Sequence, residues 1–157
     1  MKLEGANGNG LELSVVGYQF PDAEDPRMRY SWHVVRGTAT QGDVSWPFKW
    51  PALWCSESPL LGHWLRDLAA DLLEGRESAA RYPPRLEFTE PNLAFSFAAV
   101  DGAVLVRVEL DLEFHRDRAH WRAGDPYVLD LEVSRAQLTA AAGQWDEEVS
   151  HYPDRTR

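Results

Sequence analysis

Between Val104 and His115, apolar side chains recur at every second position, and this rhythm constrains the fold more than any other feature of the sequence. The apolar set is Val104, Val106, Val108, Leu110, Leu112 and Phe114. The intervening set includes Arg107, Glu109, Asp111, Glu113 and His115. A period of two places alternate side chains on opposite faces of a strand. The pattern therefore predicts a β-strand with one buried face and one wet face, which is typical of antiparallel sheets.

Shorter stretches of the chain repeat this alternation and are separated by turn residues. Strands are predicted around residues 11–15, 30–40, 86–89, 93–98 and 127–133, and another strand begins at Val44. The turns are predicted at Asn7-Gly8, Asn9-Gly10, Gln41-Gly42-Asp43 and Asp101-Gly102, where positive φ angles are tolerated. Pro47 and Pro51 lack backbone donors, so the strand that carries them is expected at a sheet edge.

Two segments have helical rather than strand periodicity. Ser58-Pro59 is a favourable helix start, leucines and Trp64 follow at helical spacing, and Gly75 is a natural stop. Near the end of the chain, Ser134 and Gln137 form a predicted capping box ahead of an apolar stripe that includes Trp145. Pro83-Pro84 marks the return to extended structure between the two halves.

The order of elements is strands, helix, strands, helix, and this order predicts an α+β fold. We expect a mainly antiparallel sheet of about six or seven strands with two helices packed on one face. No segment has the composition of a linker, and a chain of 157 residues has the usual length of one domain. The whole chain, residues 1–157, is therefore predicted to be a single domain.

The chain is acidic, and its charge excludes some classes of partner. Its formal net charge is −9, whereas nucleic acids and anionic membranes are bound by basic surfaces. The chain has no apolar run long enough to span a bilayer and no signal-like segment at its start. Its single cysteine, Cys55, cannot form an internal disulfide and is predicted to be a small core residue. These features predict a cytoplasmic protein that binds neither nucleic acid nor membrane.

The sequence lacks the motifs of common catalytic and cofactor sites. It contains no nucleophile elbow, no phosphate-binding loop and no dinucleotide fingerprint, so no catalytic residue and no cofactor is predicted. The densest group of ligand-type residues is Glu113, His115, Asp117 and His120. Arginines are interleaved with this group and oppose a divalent ion, so no metal is predicted either. We therefore expect a binding protein rather than an enzyme.

The wet faces of the later strands are predicted to gather carboxylates. If these strands pair as expected, one solvent face carries Glu87, Glu109, Asp111, Glu113, Asp130 and Glu132. Such a surface would steer the association of a basic protein partner. An ordinary wet face, whose strands are not adjacent, is the alternative. Trp46, Phe48 and Trp50 share one face of an extended strand and are predicted to pack in the core.

Several segments resemble the WapI-like immunity proteins, a bacterial family that accompanies toxins delivered by cell contact. These segments are residues 13–21 (Leu-Ser-Val-Val-Gly-Tyr-Gln-Phe-Pro), residues 32–37 (Trp-His-Val-Val-Arg-Gly) and residues 86–93, which precede Phe95. The closing helix at residues 134–149 and the Leu-rich helix at residues 60–73 also match the family's plan. Residues 51–58 depart from it, because the family has an Asp-Pro-Cys-like run and a Thr-Trp-Glu-like helix start there.

The resemblance implies inhibition of a nuclease-type toxin by direct binding. An acidic protein suits that role, because nuclease active sites lie in basic grooves. Two other hypotheses come from the residues themselves. One is a small-ligand or enzymatic pocket between sheet and helices, lined by Trp32, Trp64 or Trp145 with His33. The other is a homo-oligomer joined through the proline-bearing edge at residues 46–50.

Overall fold

The first half of the chain forms a four-stranded antiparallel sheet, which we call sheet A. The structure is a computed structural model, and it describes residues 1–74, 85–100 and 103–156. The strands of sheet A are β1 (Lys2–Glu4), β2 (Gly10–Tyr18), β3 (Trp32–Gln41) and β4 (Val44–Trp54). They lie in the order β1-β2-β3-β4, so each strand pairs with its neighbour in sequence. The short helix α1 (Pro26–Arg29) connects β2 to β3. β4 is an edge strand, as its prolines predict.

The second half forms another four-stranded antiparallel sheet, sheet B. Its strands are β5 (Arg85–Glu87), β6 (Leu93–Val100), β7 (Ala103–Leu110) and β8 (Tyr127–Val133). They also lie in sequence order, β5-β6-β7-β8. The predicted turn at residues 101–102 lies outside the described residues, although β6 and β7 pair as that turn requires.

Helix α2 (Ser58–Glu74) lies between the two sheets in sequence, and helix α3 (Arg135–Ser150) follows sheet B. The predicted capping box at the start of α3 is confirmed. The backbone N–H of Gln137 donates to Ser134 Oγ at 3.3 Å, and the backbone N–H of Ser134 donates to Gln137 Oε1 at 2.8 Å. The predicted helix stop at residue 75 and the return at residues 83–84 lie outside the described residues.

One hydrophobic core contains residues from both sheets and both long helices. Trp64 of α2 packs against Phe95 of β6, with 6.0 Å between ring centroids. Phe48 of β4 packs against Phe114, which follows β7, at 4.2 Å. Trp145 of α3 is fully buried and donates its indole N–H to the backbone carbonyl of Ser58 at 2.7 Å. These contacts join the two halves of the chain around shared apolar side chains.

The α+β class is confirmed, but the prediction of one sheet with two helices on one face is wrong. The described chain has two sheets of four strands and three α-helices. β1 and α1 are too short to produce a visible period, so the sequence did not reveal them. Strand periodicity shows which side of a strand is buried, but it does not show which strands belong to the same sheet.

The two sheets meet where the Gly5–Gly10 turn after β1 lies against the exposed edge of β8. The Ala6 N–H donates to the Glu132 carbonyl at 2.8 Å. The side-chain amides of Asn7 and Asn9 both donate to the Asp130 carbonyl, at 2.9 and 2.7 Å. The turn therefore satisfies backbone acceptors on an edge strand that would otherwise be open to another chain.

Among the described helices, none has the length and apolar character that crossing a bilayer requires.

Candidate functional site

The outer face of sheet B brings together four of the six predicted partner-binding residues. In the β7–β8 register, Arg107 lies opposite Asp130, Leu105 opposite Glu132, and Glu109 opposite Val128. Glu109 also lies opposite Ala94, and Ala94 is opposite Glu87 on β5. Glu87, Glu109, Asp130 and Glu132 therefore project from one face, as the alternation predicts.

Two arginines on the same face pair with three of these carboxylates. Arg85 donates to both Glu109 oxygens at 2.9 and 2.8 Å, and it also contacts Glu87 at 2.8 Å. Arg107 makes a similar two-point contact with Asp130 at 2.8 and 2.9 Å, and hydrogen bonding to that carboxylate raises the arginine pKa. The face is thus a mixed network that is rich in carboxylates. Glu132 has no cationic partner within the described part of the chain.

Glu113 does not continue the face of β7, and the prediction that it does is wrong, whereas Asp111 directly follows the strand in an extended conformation. β7 ends at Leu110, and residues Leu112–Phe114 form a 3₁₀ turn in which Leu112 has a φ of 50°. Asp111 caps this turn by accepting the Leu112 N–H at 2.7 Å, and it also accepts the indole N–H of Trp121. Glu113 accepts from the side-chain amide of Asn92 at 2.8 Å. The alternation continues beyond the strand because the turn still buries Phe114 completely.

At the end of this face, a depression of about 530 Å³ is lined by Asp111 together with two other predicted residues, Glu87 and Glu109. Its polar lining comes from Arg85, Glu87, Glu109 and Asp111, contributed by β5, β7 and the residue that follows β7. Its apolar lining comes from Phe88, Pro91, Leu93, Ala94 and Pro126. We call this depression, together with the face formed by Glu87, Glu109, Asp130 and Glu132, the acidic surface.

Three of the four residues of the hypothetical pocket between sheet and helices form packed core instead. Trp64 and Trp145 are buried, whereas Trp32 lies on the outer face of sheet A. His33 is fully buried, with Nδ1 at 2.7 Å from Ser58 Oγ and Nε2 at 2.7 Å from the Tyr152 carbonyl. Burial lowers the His33 pKa, an effect opposed by the Tyr152 carbonyl and by Asp154. Both ring nitrogens are already used, so this histidine serves the interior of the fold.

The group of ligand-type residues after β7 is dispersed. His120 Nδ1 lies 2.8 Å from Asp117 Oδ2, and this contact lowers the pKa of the Asp117 carboxyl. Glu113 faces Asn92, and His115 Nδ1 accepts the Asp117 backbone N–H at 3.0 Å. Within the described residues, no three His, Cys, Asp or Glu side chains converge in a way that could hold a metal ion.

Sequence reasoning missed an exposed aromatic region on sheet A. Trp46 and Phe48 are buried as predicted, but Trp50 is 45% exposed and Trp54 is 38% exposed. Trp50 lies opposite Val35, whose side chain is buried, so the strand pairing places Trp50 on the inner face of sheet A. Trp50 nevertheless remains exposed, because it lies at the edge of the sheet. The proximity of the two prolines, which indicate an edge strand, is the sequence signal that could have predicted this exposure.

The family comparison covers nearly the whole chain. A family model described as the immunity protein WapI-like family matches residues 2–153, which include both sheets and both long helices. No curated protein sequence and no solved structure matches the chain.

Proposed function

Because this chain belongs to the WapI-like immunity protein family, we propose that it protects the cell that makes it by binding a toxin and holding the toxin inactive. Membership of an immunity family implies a toxin partner. The finer parts of the proposal are that the toxin is a basic, nuclease-type domain and that the two proteins meet in the cytoplasm. The acidic surface is proposed to be the contact site.

The observation that carries this proposal is the grouping of Glu87, Glu109 and Asp111 around one depression. A concave site lined by carboxylates can receive a lysine or arginine side chain that projects from a basic groove. The apolar lining, which includes Phe88 and Pro91, can pack against the aliphatic stem of that side chain. The shape of the depression and its charge therefore both favour a basic protein partner.

The arginines on the acidic surface orient its carboxylates and leave an excess of negative charge. Arg85 holds Glu109 in a fixed two-point geometry, which reduces the side-chain entropy that the carboxylate would lose on binding. The five carboxylates of the acidic surface have only two arginine partners, and Glu132 and Asp111 form no ion pair within the described residues. With a net charge of −9, the chain should attract a basic partner over distances near the Debye length.

The first experiment asks whether the chain inhibits a toxin directly. A candidate toxin domain would be sought among the products of the neighbouring genes and purified, and its nuclease activity would be measured as this protein is added. We expect inhibition to be complete at an equimolar ratio, because a protective complex must be tight at cellular concentrations. Full nuclease activity in the presence of excess protein would contradict the proposed function.

The second experiment tests the acidic surface. The double variant Glu87→Lys/Glu132→Lys reverses two charges on sheet B without removing the arginine contacts of Glu109 and Asp130. We expect its association rate with the toxin domain to fall about tenfold at low salt, and the difference should shrink as salt increases.

The matched control is Glu147→Lys/Glu148→Lys, which makes the same change of charge on α3. It should slow association only slightly, because long-range attraction by net charge is much weaker than local complementarity. Equal rates for both double variants and the wild type would show that the toxin binds elsewhere. Inhibition by the wild type would still support the immunity function in that case.

A further inference from the structure

The outer face of sheet A carries three consecutive cross-strand pairs that contrast with the acidic surface. Trp32 lies opposite Trp54, Val34 opposite Pro51, and Arg36 opposite Lys49. Ala52 forms the bulge that brings Trp54 onto the same face as Pro51 and Lys49. We define the tryptophan–cation stripe as Trp32, Val34, Arg36, Lys49, Pro51 and Trp54.

At the aromatic end of the stripe, a half-buried Trp32 stacks against an exposed Trp54. The Trp32 and Trp54 ring centroids are 4.5 Å apart with 33° between the ring planes. Trp46 and Trp145, which lie in the core, donate their indole N–H groups to backbone carbonyls at 3.1 and 2.7 Å. Within the described residues, the indole nitrogens of Trp32 and Trp54 have no such acceptor. They are therefore available to a partner.

The basic end of the stripe places two cations directly opposite each other. Arg36 and Lys49 are both exposed, and like charges at facing positions destabilise a sheet. Some other exposed cations of this acidic chain have carboxylate partners, such as Lys2, Arg66 and Arg85. Neither Arg36 nor Lys49 forms an ion pair with any residue that the structure describes. Within the described residues, no direct ion pair therefore offsets the local repulsion between these two facing cations.

The sheet edge beside the stripe disfavours a partner that would bind by adding a strand to sheet A. β4 is an edge strand, and its prolines at positions 47 and 51 remove backbone donors that an added strand would need. A partner is therefore expected to pack on the side chains of the face rather than extend the sheet.

We propose that the tryptophan–cation stripe is a second protein-docking surface, and that its partner presents carboxylates flanking an apolar side chain. The unused polar groups at both ends of the stripe are donors: two indole N–H groups, a guanidinium and an ammonium. A complementary surface must supply acceptors, and carboxylates also neutralise the two cations. Val34 and Pro51 lie between the ends and form an apolar contact area.

A protein fits this surface better than a nucleic acid does. Tryptophan and arginine are the residues most enriched at the energetic centres of protein interfaces. A polyphosphate chain would be repelled by a molecule whose net charge is −9, and two cations neutralise few phosphates. The stripe lies on sheet A and the acidic surface on sheet B, so a partner can bind the stripe whatever the toxin is and wherever the toxin binds.

The test uses a library of short random peptides displayed on phage and selected against the full-length protein. Selected peptides should contain aspartate or glutamate on both sides of an aromatic or aliphatic residue. Binding of a synthetic copy of an enriched peptide should weaken about tenfold in Arg36→Glu/Lys49→Glu and in Trp54→Ala. The variants must first show the circular dichroism spectrum of the wild type. Since the side chains of Trp54 and Lys49 are exposed, we expect these variants to fold as the wild type does.

The matched control is Arg118→Glu/Arg135→Glu, which reverses two exposed charges away from the stripe and should leave peptide binding unchanged. Peptides that bind the stripe variants as well as the wild type would overturn the proposal, as would a selection that enriches no sequence. A short single-stranded DNA that binds the wild type and not Arg36→Glu/Lys49→Glu would also overturn it. So would a dimer, detected by sedimentation, that the same substitutions dissociate.

Discussion

At the scale of single residues, His33 joins three separate segments of the chain. It lies on β3, its Nδ1 faces Ser58 at the start of α2, and its Nε2 faces the Tyr152 carbonyl beyond α3. Its ring also lies near those of Tyr18 and Tyr152, with centroids at 5.7 and 6.5 Å. Burial disfavours the imidazolium form and lowers the His33 pKa, so the folded state holds the ring neutral at pH values where the unfolded chain protonates it.

We therefore expect acid to destabilise the protein through His33. A histidine whose pKa is lowered by folding binds protons mainly in the unfolded state once the pH falls below about 6.5. The free energy of unfolding should decrease as the pH falls from about 7.5 to about 5, by at most about 1.4 kcal/mol per pH unit from this group. Urea denaturation across this range measures the effect. His33→Gln should be less stable at neutral pH but should show a shallower pH dependence.

The control for that measurement is His63→Gln, because His63 is exposed on α2. Its pH profile should follow that of the wild type. If His33→Gln retained the full acid sensitivity, the destabilising protonation would have to occur at another group.

Cys55 should be chemically inert in the folded protein. Its side chain is 2% exposed, and burial raises the pKa of its thiol to about 12. Because the thiolate is the reactive form, a thiol reagent such as iodoacetamide should leave Cys55 unmodified at about pH 8 and label it fully in denaturant. Rapid labelling of the native protein would contradict the buried position.

At the scale of elements, the packing of β2, β3 and β4 depends on a glycine. Gly37 on β3 lies opposite Leu13 and Phe48, and the Phe48 ring covers it. A Cβ atom at this position would lie 2.6 Å from the Glu12 carbonyl oxygen, which belongs to the backbone of β2 and cannot easily move. The absence of a side chain therefore permits the aromatic ring and the neighbouring strand to approach closely.

Two glycine substitutions should have opposite effects on stability. Gly37→Ala should lower the free energy of unfolding by about 1–3 kcal/mol, because it overpacks the core of sheet A. Gly143→Ala should raise it by about 0.5–1 kcal/mol, since Gly143 lies inside α3, and an added Cβ would meet no atom within 4 Å. Chemical denaturation of both variants tests the pair. A stabilised Gly37→Ala would contradict the close approach of β2 and β3.

At the scale of the whole molecule, two sheets share one core, and we propose that they form one folding unit. The Asn7 and Asn9 amides fasten the first sheet to β8, and Phe114 of the second half packs on Phe48 of the first. Trp46 adds a hydrogen bond from its indole N–H to the Phe114 carbonyl at 3.1 Å. The buried side chains of both sheets belong to one hydrophobic cluster.

The chain should consequently unfold in one cooperative transition. Tryptophan fluorescence, near-ultraviolet and far-ultraviolet circular dichroism should give the same denaturation midpoint, as expected of a single domain of this size. Two separate midpoints, or a stable folded fragment containing only residues of one sheet, would show that the halves are independent domains.

The sequence by itself determined the α+β class, most of the strands, both long helices and the resemblance to a family. These features depend on local rules: a period of two for strands, a helical period for helices, and specific residues at turns and caps. The carboxylates of β7 and β8 were also predicted to share a face, and register places Glu109, Asp130 and Glu132 together. Side-chain direction alternates along each strand whatever its partners are, but only the pairing of β7 with β8 brings the carboxylates of the two strands onto one face.

Only the tertiary structure decided how the strands divide into two sheets, where each strand ends and which charges are paired. The alternation of apolar residues that begins in β7 continues to Phe114, but the backbone turns at Leu112. Asp111 and Glu113 therefore form hydrogen bonds with local partners. Arg85 reaches Glu109 across two strand pairs, far away in sequence. Sheet membership, ion pairing and the exposure of Trp50 and Trp54 depend on contacts between distant segments. A local pattern contains no information about such contacts, because the free energy that selects them arises only when the whole core assembles.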